Sequence, residues 1–337
     1  MCKNIVICCD GSGNEFEKNQ TNVLKLFLNL LENDNTQIKF YDPGVGTSYW
    51  QSIRKLDFIF ATGLTKNIED AYSFLMEHYN NGDKVYLFGF SRGAFTVRSL
   101  AGMLYKCGLL KKEYTNLVQY ASKIYNVKNN EIIAEKFKKS FSRVCPVYFI
   151  GVWDTVSSLG PLTKRKYFNI ELTTETKYAY QALAIDEKRK KFQACPWTEN
   201  NLKQGQINEQ VWFAGSHSDI GGSYEESDLS NITLNWMTEK AVNCGLKLKA
   251  TPDVYAENPE GMMHNSYKNF WKFFGSEIRK IPDYGIIYKS VIDRIESENA
   301  NYFPENLPKV FFVQNGSPKN EIKKTDLKCK KNPLAVR

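Results

Sequence analysis

The chain has 337 residues, of which 42% are hydrophobic, 24% are charged and only 11 are prolines. This composition excludes a disordered or fibrous chain, and the length suffices for one large α/β domain or two ordinary ones. The net charge of +8 permits attraction to anionic phosphate surfaces. The basic residues do not alternate with aromatic residues as in a recognisable nucleic-acid module, so we expect no nucleic-acid partner.

Short apolar runs and helical patterns alternate through the first two-thirds of the chain. This alternation predicts an α/β fold with a mostly parallel central sheet and helices on both faces. The predicted strands cover 5–9, 38–41, 84–88, 146–152 and 210–213. The predicted helices cover 23–31, 65–79 and 94–105.

Three other regions do not follow this alternation. Polar and helical patterns at 160–208 predict a helical cap or insertion, and blurred patterns at 250–310 predict an extra segment of helices and loops. The last residues, 321–337, are basic and predict a flexible tail. We therefore interpret 1–320 as a single α/β domain that is followed by this tail.

Several polar residues come within a few positions of the end of a predicted strand. Asp10, Ser91, Asp154 and His217 all stand at such positions. Because the carboxyl ends of parallel strands meet at one edge of a sheet, where ligands bind, we expect these side chains to lie close together.

The segment Gly89-Phe90-Ser91-Arg92-Gly93 matches the nucleophile elbow G-x-S-x-G. A strand precedes it and a helix follows it, which is the context that this motif requires. The turn would present the Ser91 hydroxyl at the sheet edge and aim the backbone N–H of Arg92 at the oxyanion formed during acyl transfer. The backbone of Gly11 and Ser12 is the candidate for a second oxyanion donor.

A serine nucleophile needs a general base, and the chain has three histidines. His217 follows a strand in a glycine-bounded loop and is the preferred base. His78 lies in a helix remote from the elbow, and His264 has no strand to position it, so both are interpreted as structural residues.

The base in turn needs a carboxylate that orients it. Asp154 gives the chain order Ser, Asp, His that is found in α/β-hydrolases. Asp219 is the rival, although a loop position two residues from His217 is poorly placed to reach it. Asp10 and Asp219 are further candidates to line the site.

Metal ligands and export signals are not apparent. The eight cysteines have no zinc spacing, and no His, Cys and acid pattern indicates a catalytic metal, so no metal or cofactor is expected unless Asp10, Asp154 and Asp219 converge on a cation. The first residues do not follow the pattern of a signal peptide, and no apolar run is long enough to span a bilayer, so we expect neither feature. We expect a cytoplasmic location. Export through a machine that needs no cleaved signal remains open.

Ordered motifs over roughly residues 3 to 310 resemble the α/β-hydrolase catalytic domain of bacterial type VI secretion phospholipase effectors of the first lipase family. The motifs are Cys9-Asp10-Gly11-Ser12, Tyr41-Asp42-Pro43-Gly44, Gly89-Phe90-Ser91-Arg92-Gly93, Trp153-Asp154-Thr155-Val156, Ala184-Ile185-Asp186-Glu187 and His217-Ser218-Asp219-Ile220-Gly221-Gly222. The resemblance implies that Ser91, Asp154 and His217 form the catalytic triad. It also implies phospholipase A-type hydrolysis without a metal, and it leaves open a peripheral membrane contact and a secretion or immunity partner.

Two other functions remain open. The same triad could act on small soluble esters or thioesters. The chain could also be an inactive binding module with a hydrolase fold, because one fold hosts many functions.

Overall fold

We analysed a computed structural model of the chain. It describes residues 2–11, 19–33, 35–44, 53–156, 168–198, 202–250, 255–314 and 319–323, with the backbone alone at 53–62 and 319–323.

A nine-stranded sheet forms the centre of the described structure. The strands, in chain order, are β1 (Asn4–Cys9), β2 (Gln37–Asp42), β3 (Lys84–Phe90), β4 (Leu109–Leu110), β5 (Ser142–Arg143), β6 (Val147–Trp153), β7 (Tyr178–Ala184), β8 (Ile207–Phe213), β9 (Ile286–Tyr288), β10 (Val310–Gln314) and β11 (Lys319–Lys323). The order across the sheet is β11-β10-β9-β8-β7-β6-β3-β1-β2, while β4 and β5 pair separately. Every pairing in the large sheet is parallel except that of β10 with β11, which confirms the predicted fold class.

Helices cover both faces of this sheet. They are α1 (Asn22–Asn29), α2 (Ile53–His78), α3 (Arg92–Cys107), α4 (Val118–Tyr125), α5 (Glu131–Phe141), α6 (His217–Gly221), α7 (Asp228–Asn243) and α8 (Lys289–Glu296). Along β1, Ile5 and Ile7 pack into the core under α2 and α3, whereas Val6 and Cys8 pack into the core under α1 and α7. This alternation follows from the two-residue period of a strand that is buried on both faces.

The described part of the region 160–208 is not the helical cap that the sequence predicts. It contains β7, which lies between β6 and β8, and its only helix is the short 3-10 turn Lys190–Phe192. The sequence of β7 combines alanines with Gln181 and lacks the β-branched run typical of a buried strand. Gln181 is nevertheless fully buried and donates to the carbonyl of Cys195 at 3.3 Å. Residues 157–167 and 199–201 lie outside the described part of the chain.

Two further predictions need correction. The segment 250–310 contributes β9 to the sheet, and this strand has only three residues, too few for a recognisable pattern. Residues 321–323, assigned to the flexible tail, belong to β11, while 324–337 lie outside the described residues. The organisation of 1–320 as one domain stays a prediction.

Candidate active site

The turn between β3 and α3 presents Ser91. Its backbone has φ 57° and ψ −118°, a conformation that residues other than glycine rarely adopt. Its N–H donates to the carbonyl of Trp153 at 3.0 Å. A Cβ on Gly93 would lie 2.0 Å from the carbonyl oxygen of Cys9. Gly93 therefore permits α3 to cross close to β1, and the strained turn is the elbow that the motif predicts.

His217 lies between Ser91 and Asp154. The Ser91 hydroxyl donates to Nε2 of His217 at 2.8 Å, and Nδ1 of His217 donates to Oδ2 of Asp154 at 2.6 Å. We assign these proton positions because an ionised carboxylate can only accept. The imidazole packs against the rings of Phe90 and Phe192, with centroids at 4.7 and 5.1 Å. The ends of β3, β6 and β8 thus bring the three side chains together.

The carboxylate of Asp154 is fully buried and has several donors. Besides His217, the backbone N–H of Ala184 donates to Oδ1 at 3.0 Å. The guanidinium of Arg279 donates to both oxygens, from Nη1 to Oδ1 at 2.6 Å and from Nη2 to Oδ2 at 2.9 Å. Asp154 itself has φ 40°, so the strand ends in a strained residue as it does at Ser91.

Arg279 is a site residue that the sequence analysis missed. It is 1% exposed, and it also donates to the carbonyls of Ala184 and Phe192. It lies 125 residues from Asp154 in the chain, between named elements, and no local motif marks it. The only available signal is chemical, since a buried carboxylate requires a counter-charge.

The pKa shifts of Asp154 and His217 favour a neutral imidazole beside an ionised carboxylate. Burial alone would raise the pKa of Asp154, but the charge of Arg279 and the hydrogen bond from His217 outweigh it and hold that pKa well below its usual value. Burial lowers the pKa of His217, although Asp154 acts in the opposite direction. A neutral His217 can accept a proton from Ser91 at neutral pH.

A second buried carboxylate, Glu187, supports the start of α6. The backbone N–H of His217 donates to Oε2 of Glu187 at 3.2 Å, and Arg189 donates to both Glu187 oxygens at 2.9 and 2.8 Å. Burial acts to raise the pKa of Glu187, but Arg189 outweighs it and lowers the pKa. The arginine also stacks over the ring of Phe192 at 3.5 Å. Glu187 therefore fixes the backbone that carries His217.

Asp219, the rival carboxylate, bonds to groups other than the His217 ring. Its Oδ2 accepts from the N–H and the hydroxyl of Ser216 at 2.8 and 2.9 Å, which forms a capping box at the start of α6. Its Oδ1 accepts from Nδ1 of His264 at 2.7 Å. Asp219 and His264 thus form a separate pair, and His78 stacks on Phe74 near the end of α2.

The candidate oxyanion donors are placed differently. Arg92 is the first residue of α3, so its backbone N–H lies at the positive end of the helix dipole. The N–H of Gly11 donates to Oδ1 of Asp10 at 2.6 Å, while Oδ2 of Asp10 accepts from Thr21 and Tyr41 at 2.5 and 2.8 Å. Asp10 therefore joins β1 to α1 and β2. Ser12 lies outside the described residues.

The described residues contain neither a metal-binding cluster nor a membrane-spanning helix. Within the described ranges, no group of three or more His, Cys, Asp or Glu side chains could hold a metal ion. In the same part of the chain, no helix combines the length and hydrophobicity needed to cross a bilayer.

Comparison with known proteins identifies a family whose model matches this chain. The model of the type VI secretion system phospholipase effector Tle1-like catalytic domain matches residues 3–240. The uncharacterized protein YEL023C of Saccharomyces cerevisiae is 37% identical over 224 residues, which are 58% of this chain and 33% of that protein.

Two solved structures are more distant. An uncharacterized protein from Pseudomonas aeruginosa shows 16% identity and a TM-score of 0.46, over 77% of this chain and 50% of that one. The Tle1 effector bound to the VgrG spike shows 20% identity and a TM-score of 0.41, over 67% of this chain and 52% of that one. The chain thus spans about a third of the yeast protein and about half of either solved chain.

Proposed function

The chain belongs to the Tle1-like phospholipase effector catalytic domain family, and from this we propose that it is a serine hydrolase that cleaves the carboxylic esters of phospholipids. The observation that carries the proposal is the continuous hydrogen-bonded series from Ser91 through His217 to Asp154, with distances of 2.8 and 2.6 Å. This is the arrangement by which a weakly acidic hydroxyl becomes a nucleophile.

In the acylation step, Nε2 of His217 takes the hydroxyl proton as Oγ of Ser91 bonds to the ester carbonyl carbon. The carbonyl oxygen becomes an oxyanion, which the N-terminus of α3, including the N–H of Arg92, would stabilise. The intermediate then collapses, its C–O bond to the alcohol breaks, and the leaving alcohol takes the proton from His217. An acyl group remains on Ser91.

In the deacylation step, His217 takes a proton from water, and the resulting hydroxide bonds to the acyl carbon. Collapse of this intermediate releases the fatty acid and returns the proton to Ser91. Asp154 stabilises the imidazolium in both steps and holds its tautomer. Arg279 acts as a positioning residue, since it fixes both oxygens of Asp154.

Export and partners are the more distant part of the proposal. Because the family is described by its likeness to a type VI secretion effector, we propose that the chain is exported and has a secretion partner. Bacterial origin stays a prediction, since a relative occurs in yeast.

Product analysis tests the proposed reaction. We would incubate the protein with vesicles of phosphatidylcholine and phosphatidylglycerol and identify the products by mass spectrometry. Equal amounts of fatty acid and lysophospholipid are expected, with none from Ser91→Ala. Release of phosphorylated head groups, or cleavage of short soluble esters alone, would overturn the phospholipase A assignment.

A further inference from the structure

An exposed aromatic turn lies beside the candidate active site. The 3-10 turn Asn269–Phe274 has the sequence Asn-Phe-Trp-Lys-Phe-Phe. Phe273 is 87% exposed and Phe270 is 54% exposed, which is unusual for such large apolar side chains. The rings of Phe270 and Phe274 pack together at 5.0 Å, so the turn presents a preformed apolar knob.

The basic run at 188–191 lies directly alongside this turn. The N–H of Lys190 donates to the carbonyl of Gly275 at 3.2 Å, and the N–H of Glu277 donates to the carbonyl of Lys188 at 2.9 Å. The lysines of the two segments are exposed, namely Lys188, Lys190, Lys191, Lys268 and Lys272. The exposed acids nearby include Glu277 and Glu305, of which Glu305 lies 3.8 Å from Lys188, while the buried Glu187 is paired with Arg189. The surface around the knob is therefore positively charged.

The ring of Phe192 connects the aromatic turn to the proposed catalytic residues. Phe192 contacts His217 at 5.1 Å and Trp271 at 5.1 Å between centroids. The guanidinium of Arg189 stacks over both Phe192 and Trp271, at 3.5 and 5.0 Å. A surface that held the aromatic turn would thus lie next to Ser91 and His217.

We propose that the aromatic turn and the basic run together form a docking surface for an anionic phospholipid bilayer. The phenylalanines would enter the interface between head groups and acyl chains, and the lysines would meet the lipid phosphates. The proposal rests on the proposed function, because it explains how a lipid ester in a bilayer would reach Ser91. A lipid surface fits better than a nucleic acid, because the rings of Phe270 and Phe274 pack on one another as a knob, whereas single-stranded nucleic acids stack their bases on aromatic side chains along a basic groove.

Vesicle co-sedimentation tests this surface in the Ser91→Ala protein, which leaves the lipids uncleaved. We would compare vesicles of pure phosphatidylcholine with vesicles that also contain phosphatidylglycerol. The double variant Phe270→Ser/Phe273→Ser is expected to lower the partition coefficient on both at least about tenfold. Lys190→Gln and Lys191→Gln are each expected to lower it on the anionic vesicles alone, by about fivefold at low salt.

A matched control comes from α5, where Ile132 and Ile133 are 72% and 55% exposed. The pair Ile132→Ser/Ile133→Ser removes a similar exposed apolar surface and is expected to leave partitioning unchanged. Equal loss in this control, or normal partitioning of the phenylalanine variant, would overturn the docking surface. Binding of a single-stranded oligonucleotide through the same lysines without binding to vesicles would overturn it as well.

The two proposals can fail separately. If the wild-type protein cleaves soluble esters but does not partition onto vesicles, the docking surface is wrong and the serine hydrolase stands. If the turn mediates partitioning but the wild-type protein cleaves neither lipids nor soluble esters, the serine hydrolase is wrong and the docking surface stands.

Discussion

Arg279 donates to both carboxylate oxygens of Asp154, at 2.6 and 2.9 Å, and both side chains are almost completely buried. Each charge therefore depends on the other, because an unpaired buried charge is costly. This pair explains how Asp154 can remain ionised although its side chain is fully buried.

Loss of Arg279 should affect both stability and pH dependence. We expect Arg279→Gln to lower the free energy of unfolding by about 3–5 kcal/mol, because it leaves a buried carboxylate without its cation. The pKa of Asp154 should rise, so the acid limb of the pH profile should move to higher pH. Denaturant unfolding and the pH profile of kcat/KM measure the two effects.

Arg98 provides the control for this prediction. It is also 1% exposed, but its guanidinium donates to the carbonyls of Ile170 and Cys195. Arg98→Gln should destabilise the protein without moving the pH profile. If both variants leave the profile unmoved, Arg279 does not position Asp154.

The pH profile of the wild type should reflect the lowered pKa of His217. The base must be neutral, so the acid limb of kcat/KM should lie below the ordinary histidine pKa of about 6.5. Because the unfolded state takes up the proton first, the stability that neutral His217 contributes is present above about pH 6.5. It is lost as the pH falls through the native pKa. An acid limb above pH 7 in steady-state kinetics would contradict this assignment.

Substitution of the two rival carboxylates should separate their roles. We expect Asp154→Asn to lower kcat about 10,000-fold, because His217 loses the partner that fixes its tautomer. Asp219→Asn should weaken the capping box and cost about 1 kcal/mol of stability, while most of kcat remains. Steady-state kinetics beside thermal unfolding measures both. If Asp219→Asn lowers kcat more than Asp154→Asn does, Asp219 and not Asp154 is the carboxylate that orients His217.

The elbow depends on the absence of a side chain at Gly93. Since a Cβ there would lie 2.0 Å from the carbonyl oxygen of Cys9, Gly93→Ala should destabilise the fold by about 3 kcal/mol or more. Gly205 has a positive φ of 82° and nothing within 4 Å of its would-be Cβ, so Gly205→Ala should cost about 1 kcal/mol. Chemical denaturation compares them, and equal costs would contradict the close crossing of α3 and β1.

The sequence predicts the site better than it predicts the fold around it. Ser91 lies in a local motif whose backbone requirement is visible in its glycines. Asp154 and His217 follow recognisable strands, and the geometry of a parallel sheet then brings strand ends together. Their catalytic roles stay predictions, whereas their proximity is a structural finding.

The missed features depend on tertiary contacts. The strand β7 carries Gln181, which is buried because it finds hydrogen-bond partners that no local pattern reveals. Arg279 reaches Asp154 across 125 residues. The exposure of Phe273 also runs against the expectation that apolar residues are buried, and only the structure shows it.

Labelling with a fluorophosphonate probe is the most direct test of the central claim that Ser91 is the nucleophile. Intact mass and peptide mapping should show one adduct on wild type, located on Ser91, and none on Ser91→Ala. Ser218→Ala, beside His217 in α6, should be labelled as wild type is. An unlabelled wild type, or a Ser91→Ala protein labelled at the wild-type rate, would contradict the account.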